Sequence, residues 1–135
     1  FGYGPTESYI DKHQSSLLGH YHTTVRQNHV PYLKPQENGS HYGCSYVKVW
    51  SENQQIFITA TTPFSFNLSP YRQEELAMKK HHDDLVESNS TVLCIDYKMS
   101  GIGSNSCGPA LKQAYRLNET LFDFDVKCHF LRHSI

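Results

Sequence analysis

The 135-residue sequence has no long hydrophobic run and no excess of charge of either sign. No apolar stretch approaches the roughly 20 residues that a membrane-spanning helix needs, which argues against a membrane protein. Twelve Lys and Arg residues nearly balance 13 Asp and Glu residues, so no basic surface is available to neutralise nucleic-acid phosphates. The sequence begins at Phe1, with neither an initiator methionine nor a signal peptide. We therefore expect a cytoplasmic piece excised from a larger protein.

Cysteine is sparse and unpaired in the sequence. The four cysteines form no C-x-x-C pair, and two of them lie in apolar strand patterns where cysteine acts as a small hydrophobic residue. We predict that all four thiols are reduced. An even number of cysteines and four Asn-x-Ser/Thr tripeptides would also suit a secreted glycoprotein, although such short matches often arise by chance. The cysteines are Cys44, Cys94, Cys107 and Cys128.

Histidine is abundant, with nine residues, but its spacing does not predict a metal site. His81 and His82 are adjacent, and neighbouring side chains on a helix diverge by about 100°. His20 and His22 have no second pair of ligands beside them in the sequence, whereas zinc sites need three or four converging groups. We predict that this chain binds no metal ion specifically.

Alternating apolar and polar side chains predict antiparallel β-structure from Cys44 onward. Residues 46–50 and 56–61 alternate around a turn at 51–53, which indicates a hairpin. Residues 64–68 and 91–98 predict two further strands. The last strand is predicted to be half buried, because apolar residues share one side of it: Phe122, Phe124, Val126, Cys128 and Phe130.

Residues 71–82 predict the only convincing helix. Ser69 is a suitable N-cap, and Pro70 suits the first turn. Glu75 and Lys79 are one turn apart and can form an ion pair. The helix is therefore expected to have a solvated face.

Residues 1–36 are polar, rich in tyrosine and histidine, and lack sustained periodicity. This pattern predicts long connecting loops with short extended pieces, such as residues 23–27. We expect their order to depend on a neighbouring segment.

Trp50 is the single tryptophan of the chain. Aromatic residues in strands usually form cross-strand pairs in the core, so we predict that Trp50 is a core residue. The alternative is an exposed surface on which a sugar ring stacks. For Tyr42 and Tyr71 the sequence leaves both possibilities open.

Four signature segments carry the strongest functional signal. The first (residues 4–12) is GPTESYIDK, the second (32–39) is YLKPQENG, the third (64–71) is FSFNLSPY, and the fourth (100–109) is SGIGSNSCGP. In this order, and over nearly the whole chain, they resemble the signature sequences of family 2 β-galactosidases. The fourth is similar to the sugar-site loop in the last domain of those enzymes.

The resemblance implies an all-β fold. Residues 1–135 would form the C-terminal half of the terminal antiparallel β-sandwich, a galactose-mutarotase-like super-sandwich, with one short helix. The implied partners are the catalytic barrel, in the same polypeptide or in a separate large subunit, and a galactoside substrate. The resemblance also implies an oligomeric enzyme.

The loop at residues 100–109 contains the predicted substrate-binding residues. Its glycines and proline permit close backbone approach to a ligand after a rigid strand. The resemblance implies that Asn105, Ser106 and Cys107 lie at the mouth of the active site. Some relatives carry a tryptophan at the position of Cys107, where it stacks on the sugar or aglycone, and others carry cysteine. Since a thiol lacks the flat apolar face of an indole, we expect weaker aglycone stacking.

No catalytic residue is predicted in this chain. Retaining glycoside hydrolysis needs two carboxyl groups about 5 Å apart. Most acidic residues here have the pattern of surface charge, and Glu37 lies in a predicted turn. In the family, the catalytic glutamates belong to the barrel, as do the main sites for Mg and Na ions. The isolated chain is therefore predicted to be inactive and to hold no cofactor.

The resemblance implies that the intact protein hydrolyses terminal β-galactosides such as lactose, while this piece packs on the barrel. Two alternatives remain: a free-standing carbohydrate-binding module, and a purely structural module for subunit assembly. Sugar affinity of the isolated chain would favour the binding module, because the site of a fragment is completed elsewhere.

Overall fold

The computed structural model describes residues 1–103 and 107–132, which form two antiparallel β-sheets and two short α-helices. This architecture confirms the predicted all-β sandwich class. Single turns of 3-10 helix lie at His13–Ser15, His82–Asp84 and Gln113–Tyr115. The strands and helices in chain order are β1 (Gly2–Gly4), β2 (Leu17–Gly19), α1 (Val25–Asn28), β3 (His41–Trp50), β4 (Gln54–Ser69), α2 (Gln73–Met78), β5 (Val92–Asp96) and β6 (Val126–Arg132).

The β3–β4 hairpin organises the larger sheet. The turn at residues 51–53 lies where the sequence predicts it, and Ser51 N donates to Gln54 O at 2.8 Å. The strand predicted separately at residues 64–68 is the second half of β4. Between the two halves the pairing with β3 shifts register, and Pro63 lies in this irregular stretch, where its missing N–H breaks no ladder bond.

Strand β4 is the centre of the four-stranded sheet. One edge pairs with β3, and the other edge pairs with two strands in succession. β6 pairs with residues 54–60, and β5 pairs with residues 65–69. The third signature segment therefore lies between β3 and β5, next to the start of the fourth segment.

The small β1–β2 sheet is attached to the edge of β3. Phe1 O accepts from Ser45 N at 2.9 Å, and the amino group of Phe1 donates to Tyr46 O at 2.9 Å. A Cβ atom at Gly2 would overlap the side chain of Cys44, so only glycine permits this close approach. These contacts place β1 beside β3.

The hydrophobic core lies on one face of the larger sheet. Its fully buried members are Cys44, Val47, Ile58 and Phe64. Burying an aliphatic or aromatic side chain of this size contributes roughly 1.5–3 kcal/mol. Partly buried side chains packed against these four include Phe66, Leu93, Ile95, Phe124 and Val126.

The predicted helix at residues 71–82 is shorter in the structure, where α2 spans Gln73–Met78. Ser69 does not cap it; the Ser69 hydroxyl accepts from Tyr71 N at 3.1 Å and closes a turn before the helix. Lys79 is already extended, which ends the helix. The predicted pair between Glu75 and Lys79 is present at 3.5 Å.

The prediction of an extended piece at residues 23–27 is wrong, because α1 begins there. Thr24 and Gln27 form a capping box, with the Thr24 hydroxyl accepting from Gln27 N at 3.2 Å. The Thr-x-x-Gln spacing is a recognised signal for a helix start. A helix of four residues is too short to show apolar periodicity, which explains the error.

The predicted half burial of the last strand is also wrong for most of β6. Phe124 and Val126 contact the core, but Cys128 and Phe130 are exposed. Alternation correctly assigned these residues to one face, but burial of that face requires a second layer over it. No helix in the described ranges is long and apolar enough to cross a membrane.

Candidate functional site

The first and second signature segments are joined at Glu7. One carboxylate oxygen, Oε1, accepts from the ammonium group of Lys12 at 2.8 Å and from the Tyr32 hydroxyl. The other oxygen, Oε2, accepts from the backbone N–H of Gly39 at 2.8 Å. Glu7 is only 5% exposed, so this carboxylate is a buried connection and not a surface charge.

These partners decide the ionisation of Glu7. Burial alone would raise its pKa, but the hydrogen bonds from Lys12, Tyr32 and Gly39 outweigh burial and lower the pKa below its usual value of 4.5. The neighbouring Tyr32 has its pKa raised to about 12, mainly by burial and by its bond to Glu7. Glu7 is therefore ionised and fully engaged at neutral pH, which suits a structural role and not proton transfer.

The second and third segments meet through buried amide groups. Asn67 Nδ2 donates to Asn38 O, and Asn67 is only 1% exposed. Asn28 of α1 donates to Gly39 O at 2.7 Å, and its Oδ1 lies 2.7 Å from His41 Nε2. Buried hydrogen bonds of this kind favour one specific arrangement of the segments they join.

The fourth segment is bonded to the first, and the residue before it contacts the residue after the second. The carboxylate of Asp11 accepts from Gly103 N at 3.1 Å. The hydroxyl of Ser40, next to the second segment, lies 3.8 Å from Met99 Sδ and donates to Phe66 O at 3.3 Å. All four signature segments are thus connected, although they are far apart in the sequence.

Two open clefts lie near the described part of the fourth segment. One has a volume of about 350 Å³ and contains Asp11, Gly103 and Pro109 in its wall. The other, of about 280 Å³, is bordered by Tyr42 and Lys98. Ile10 and Tyr115 line both. Accessible clefts with aromatic and polar side chains in their walls therefore lie near this segment.

Comparison with known proteins gives a consistent result. The family model described as the β-galactosidase small chain matches residues 1–128. The chain belongs to the β-galactosidase small-chain family. A β-galactosidase of Actinobacillus pleuropneumoniae is 67% identical over 122 residues, which is 90% of this chain. Those of Staphylococcus xylosus and Kluyveromyces lactis are 40% and 33% identical over 97% and 96% of the chain.

The chain spans only 12–13% of the length of these three relatives. The family match to residues 1–128 indicates that the chain corresponds to the small-chain region of these longer relatives. The four connected segments lie within that match.

Of the predicted substrate-binding residues of this small-chain region, Asn105 and Ser106 lie outside the described residues. Cys107 is described and exposed. Its thiol is free, as are those of Cys44, Cys94 and Cys128, in agreement with the prediction of reduced cysteines. The assignment of Asn105, Ser106 and Cys107 to a sugar site stays a prediction.

The structure brings together a carboxyl pair that the sequence did not reveal. Burial raises the pKa of Glu37, and the nearby carboxyl of Asp96 raises it further. Burial also raises the pKa of Asp96, which lies at the end of β5. Glu37 is therefore not the simple turn residue that its local sequence predicts. Asp96 was missed because it ends a strand and belongs to none of the four segments.

Glu7 and Asp11 were also missed as functional positions. Both occur in the first segment. The resemblance to the family signature identified this segment, but it did not identify the contacts of its side chains. The signal that would have found them is the pairing of segments: two acidic residues in one segment face N–H groups of glycines in two others.

The histidines make contacts of other kinds. His20 lies 3.0 Å from the Tyr46 hydroxyl, and His82 stacks on His29 at 5.3 Å. Across the described residues, no three His, Cys, Asp or Glu side chains are placed to hold one metal ion.

Trp50 is exposed, contrary to the prediction of a core residue. Its side chain is 55% accessible and stacks on His22 at 5.1 Å. Trp50 lies at the end of β3 on the face opposite Val47 and Val49, and that face is not the core face. The alternation was read correctly, but the choice of the inner face was wrong. The two undecided tyrosines pack on side chains, Tyr42 on Tyr3 and Tyr71 on His29.

Proposed function

We propose that this chain is a supporting part of a β-galactosidase that hydrolyses terminal β-D-galactosides such as lactose. This proposal rests on one observation: hydrogen bonds join the four signature segments. One of these bonds holds Gly103, near the start of the sugar-site loop, against Asp11. A rigid platform that presents a glycine-containing loop suits a role at the mouth of an active site. The relatives carry the name β-galactosidase, which supports the same sugar class.

The loop contributes substrate contacts through Asn105, Ser106 and Cys107. Polar groups of this kind donate and accept hydrogen bonds from sugar hydroxyls. The exposed thiol of Cys107 provides little stacking area. The enzyme should therefore show only a weak preference for substrates with flat aromatic aglycones over other galactosides.

The chain supplies no catalytic residue, and the retaining reaction takes place on glutamates elsewhere in the enzyme. Two observations support this assignment. Glu7 is committed to three hydrogen-bond partners, and Glu37 is crowded by Asp96 and its pKa is raised by burial. Neither residue belongs to a pair with one acid and one free nucleophile. Alone, the chain should be inactive.

The partner is the catalytic barrel, together with the remainder of the terminal sandwich, of which residues 1–135 form the C-terminal half. Exposed apolar side chains on β6 support this proposal. Phe130 is 73% exposed and lies, with the exposed Cys128, on the face of the sheet that carries Ile56 and Ile58. Because Ile58 belongs to the core, a large exposed apolar side chain on this face is typical of a surface that packs against another layer. Oligomerisation of the enzyme is part of the same proposal.

We assign the Mg and Na ions of the family to the catalytic domain and no cofactor to this chain. A cytoplasmic location fits the four unpaired thiols.

Complementation tests the proposal. Hydrolysis of a chromogenic β-galactoside is measured for the chain alone, for the catalytic remainder alone, and for the mixture. We expect activity only in the mixture. Activity of the chain alone would contradict the assignment of the glutamates to the remainder, and a mixture without activity would contradict the supporting role.

A carbohydrate-binding module is the second candidate, and the exposed Trp50 favours it. An accessible indole stacked on His22 offers an apolar surface to the C–H face of a sugar. Titration calorimetry with galactose and lactose distinguishes the candidates. Saturable binding by the chain alone that is lost in Trp50→Ala would favour the module, and no heat of binding would favour the supporting part.

A further inference from the structure

Asp11 connects the first signature segment to the fourth. It follows the buried Tyr9 in the first signature segment, and its carboxylate accepts from Gly103 N at 3.1 Å, across 92 residues of sequence. Hydrogen bonds to a charged acceptor are stronger than those between neutral groups. Gly103 lies four residues before Cys107, so this bond fixes the backbone shortly before the predicted sugar contacts.

A second contact points to the same carboxylate. Gly101 has a positive φ of 78°, a conformation that favours glycine. A Cβ atom at this position would overlap the carboxyl group of Asp11. The Asp11 carboxylate therefore contacts the loop at two glycines, by close packing at Gly101 and by a hydrogen bond at Gly103.

The segment that carries Asp11 is itself held firmly. Lys12, the next residue, is paired with the buried Glu7, and its N–H donates to Tyr9 O at 3.0 Å. Tyr9 is fully buried. Asp11 is thus attached to the platform of connected segments.

We propose that Asp11 is a positioning residue that latches the sugar-site loop through Gly101 and Gly103. This inference rests on the proposed function of the loop. Without this contact, the backbone at Gly101 and Gly103 samples more conformations, and binding of substrate must supply the ordering. The loss should therefore appear mainly in KM for the galactoside, with a smaller change in kcat.

The first test measures loop order in the complex of the chain with its catalytic remainder. Amide hydrogen exchange is followed for the peptide that contains Gly101 and Gly103 in Asp11→Ala, Asp11→Asn and Asp83→Ala. We expect Asp11→Ala to exchange roughly tenfold faster, equivalent to about 1.4 kcal/mol. Asp11→Asn keeps an acceptor oxygen and should be intermediate. Asp83→Ala is the control, because Asp83 is exposed and its substitution removes one negative charge at a different position. Exchange in this variant should match the wild type. Unchanged exchange in Asp11→Ala would overturn the latch.

The second test measures KM and kcat for a chromogenic β-galactoside in the same complexes. We expect Asp11→Ala to raise KM several-fold and Asp11→Asn to recover part of the loss. Gly101→Ala, which displaces the intact carboxylate, should raise KM in the same way. Wild-type kinetics in Asp11→Ala would overturn the positioning role. Failure of the proposed function is distinct, because the wild-type chain itself would then fail to restore activity.

Discussion

At the scale of single residues, Glu7 and Glu37 show how partners decide the behaviour of a buried carboxyl group. Burial penalises the charge of both. Glu7 has three donors and a lowered pKa, whereas Glu37 faces Asp96 and has a raised pKa. The first carboxylate stabilises the junction of the signature segments, whereas burial and Asp96 disfavour the charged form of the second.

Replacing Glu7 should destabilise the fold strongly. Glu7→Ala leaves the N–H of Gly39 and the hydroxyl of Tyr32 without their acceptor. Orphaning buried polar groups costs on the order of 1–3 kcal/mol each, so we expect a loss of about 2–4 kcal/mol. Urea unfolding followed by circular dichroism measures it. Lys12→Ala, which leaves the other two bonds intact, should cost less, and an equal cost would contradict the hub role of Glu7.

The pH dependence of stability should report the same carboxylate. Because the pKa of Glu7 in the folded protein lies below the unfolded value of 4.5, its contribution is present above pH 4.5. It is lost as the pH falls through the lower folded pKa. Unfolding free energies measured between pH 6 and pH 3 should fall less steeply in Glu7→Gln than in the wild type. Parallel curves would show that other carboxyl groups cause the loss of stability at low pH.

Glu37→Gln should stabilise the chain at neutral pH. The folded pKa of Glu37 lies above 4.5, so its stabilising contribution is present below that pH and disappears as the pH rises through the folded value. A neutral amide removes the repulsion from Asp96. Since the side chain is partly exposed and screened, we expect a gain of about 0.5–1 kcal/mol at pH 7 and little change near pH 4.5. A loss of stability at pH 7 would contradict this account.

Several residue contacts could be predicted from sequence only in part. The four segments were found by resemblance, and their order along the chain needed no structure. Their contacts could not be predicted, because Glu7 with Gly39 and Asp11 with Gly103 are pairs separated by 32 and 92 residues. Trp50 shows a second limit: alternation separates the two faces of a strand but does not identify the buried one.

At the scale of elements, β4 determines the arrangement of the larger sheet. It spans 16 residues and pairs with β3, β5 and β6. Ile58 in its first half and Phe64 in its second half are both core residues. This single strand therefore connects the exposed end of the sheet, near β6, to the end that carries the signature segments.

Two substitutions on paired strands should differ in cost. Ile58 is fully buried, with 0% exposure, and Ile58→Ala should cost about 2–5 kcal/mol. Phe130 on β6 pairs with Ile56 and is mostly exposed, so Phe130→Ala in the isolated chain should cost less than about 1 kcal/mol. Denaturant unfolding measures both. Comparable costs would contradict the open face of β6.

Strands were predicted better than helices. The hairpin follows from alternation with a period of two residues, and β5 follows from a short apolar run. Alternation also located β6, although its predicted half burial was wrong. The ends of α2 were wrong because the turn at Ser69 and the extended Lys79 depend on local hydrogen bonds. Helix α1 was missed because its signal is a capping box and not a repeat.

At the scale of the whole molecule, two surfaces have different characters. The signature segments form a polar, hydrogen-bonded junction at one end of the sheet. The opposite end exposes Phe130 and Leu131 on β6. In our proposal the polar junction supports the sugar-site loop, and the apolar strand packs against the remainder of the enzyme.

The two exposed thiols allow both surfaces to be followed at once. Cys107 lies in the loop, and Cys128 lies on β6. Cys44 is buried, and burial raises its pKa to about 11, so it should react slowly with thiol reagents. Cys107→Ser and Cys128→Ser variants allow each exposed thiol to be observed separately.

The most direct test of the central claim is the rate of Cys107 alkylation in the active complex, measured in the Cys128→Ser variant with and without galactose. If the loop lies at the galactoside site, galactose should slow alkylation of Cys107, with no effect in the chain alone. In the Cys107→Ser variant, Cys128 should be protected by the catalytic remainder and unaffected by the sugar. An active complex in which saturating galactose leaves the Cys107 rate unchanged would contradict the claim that this loop lines the sugar site.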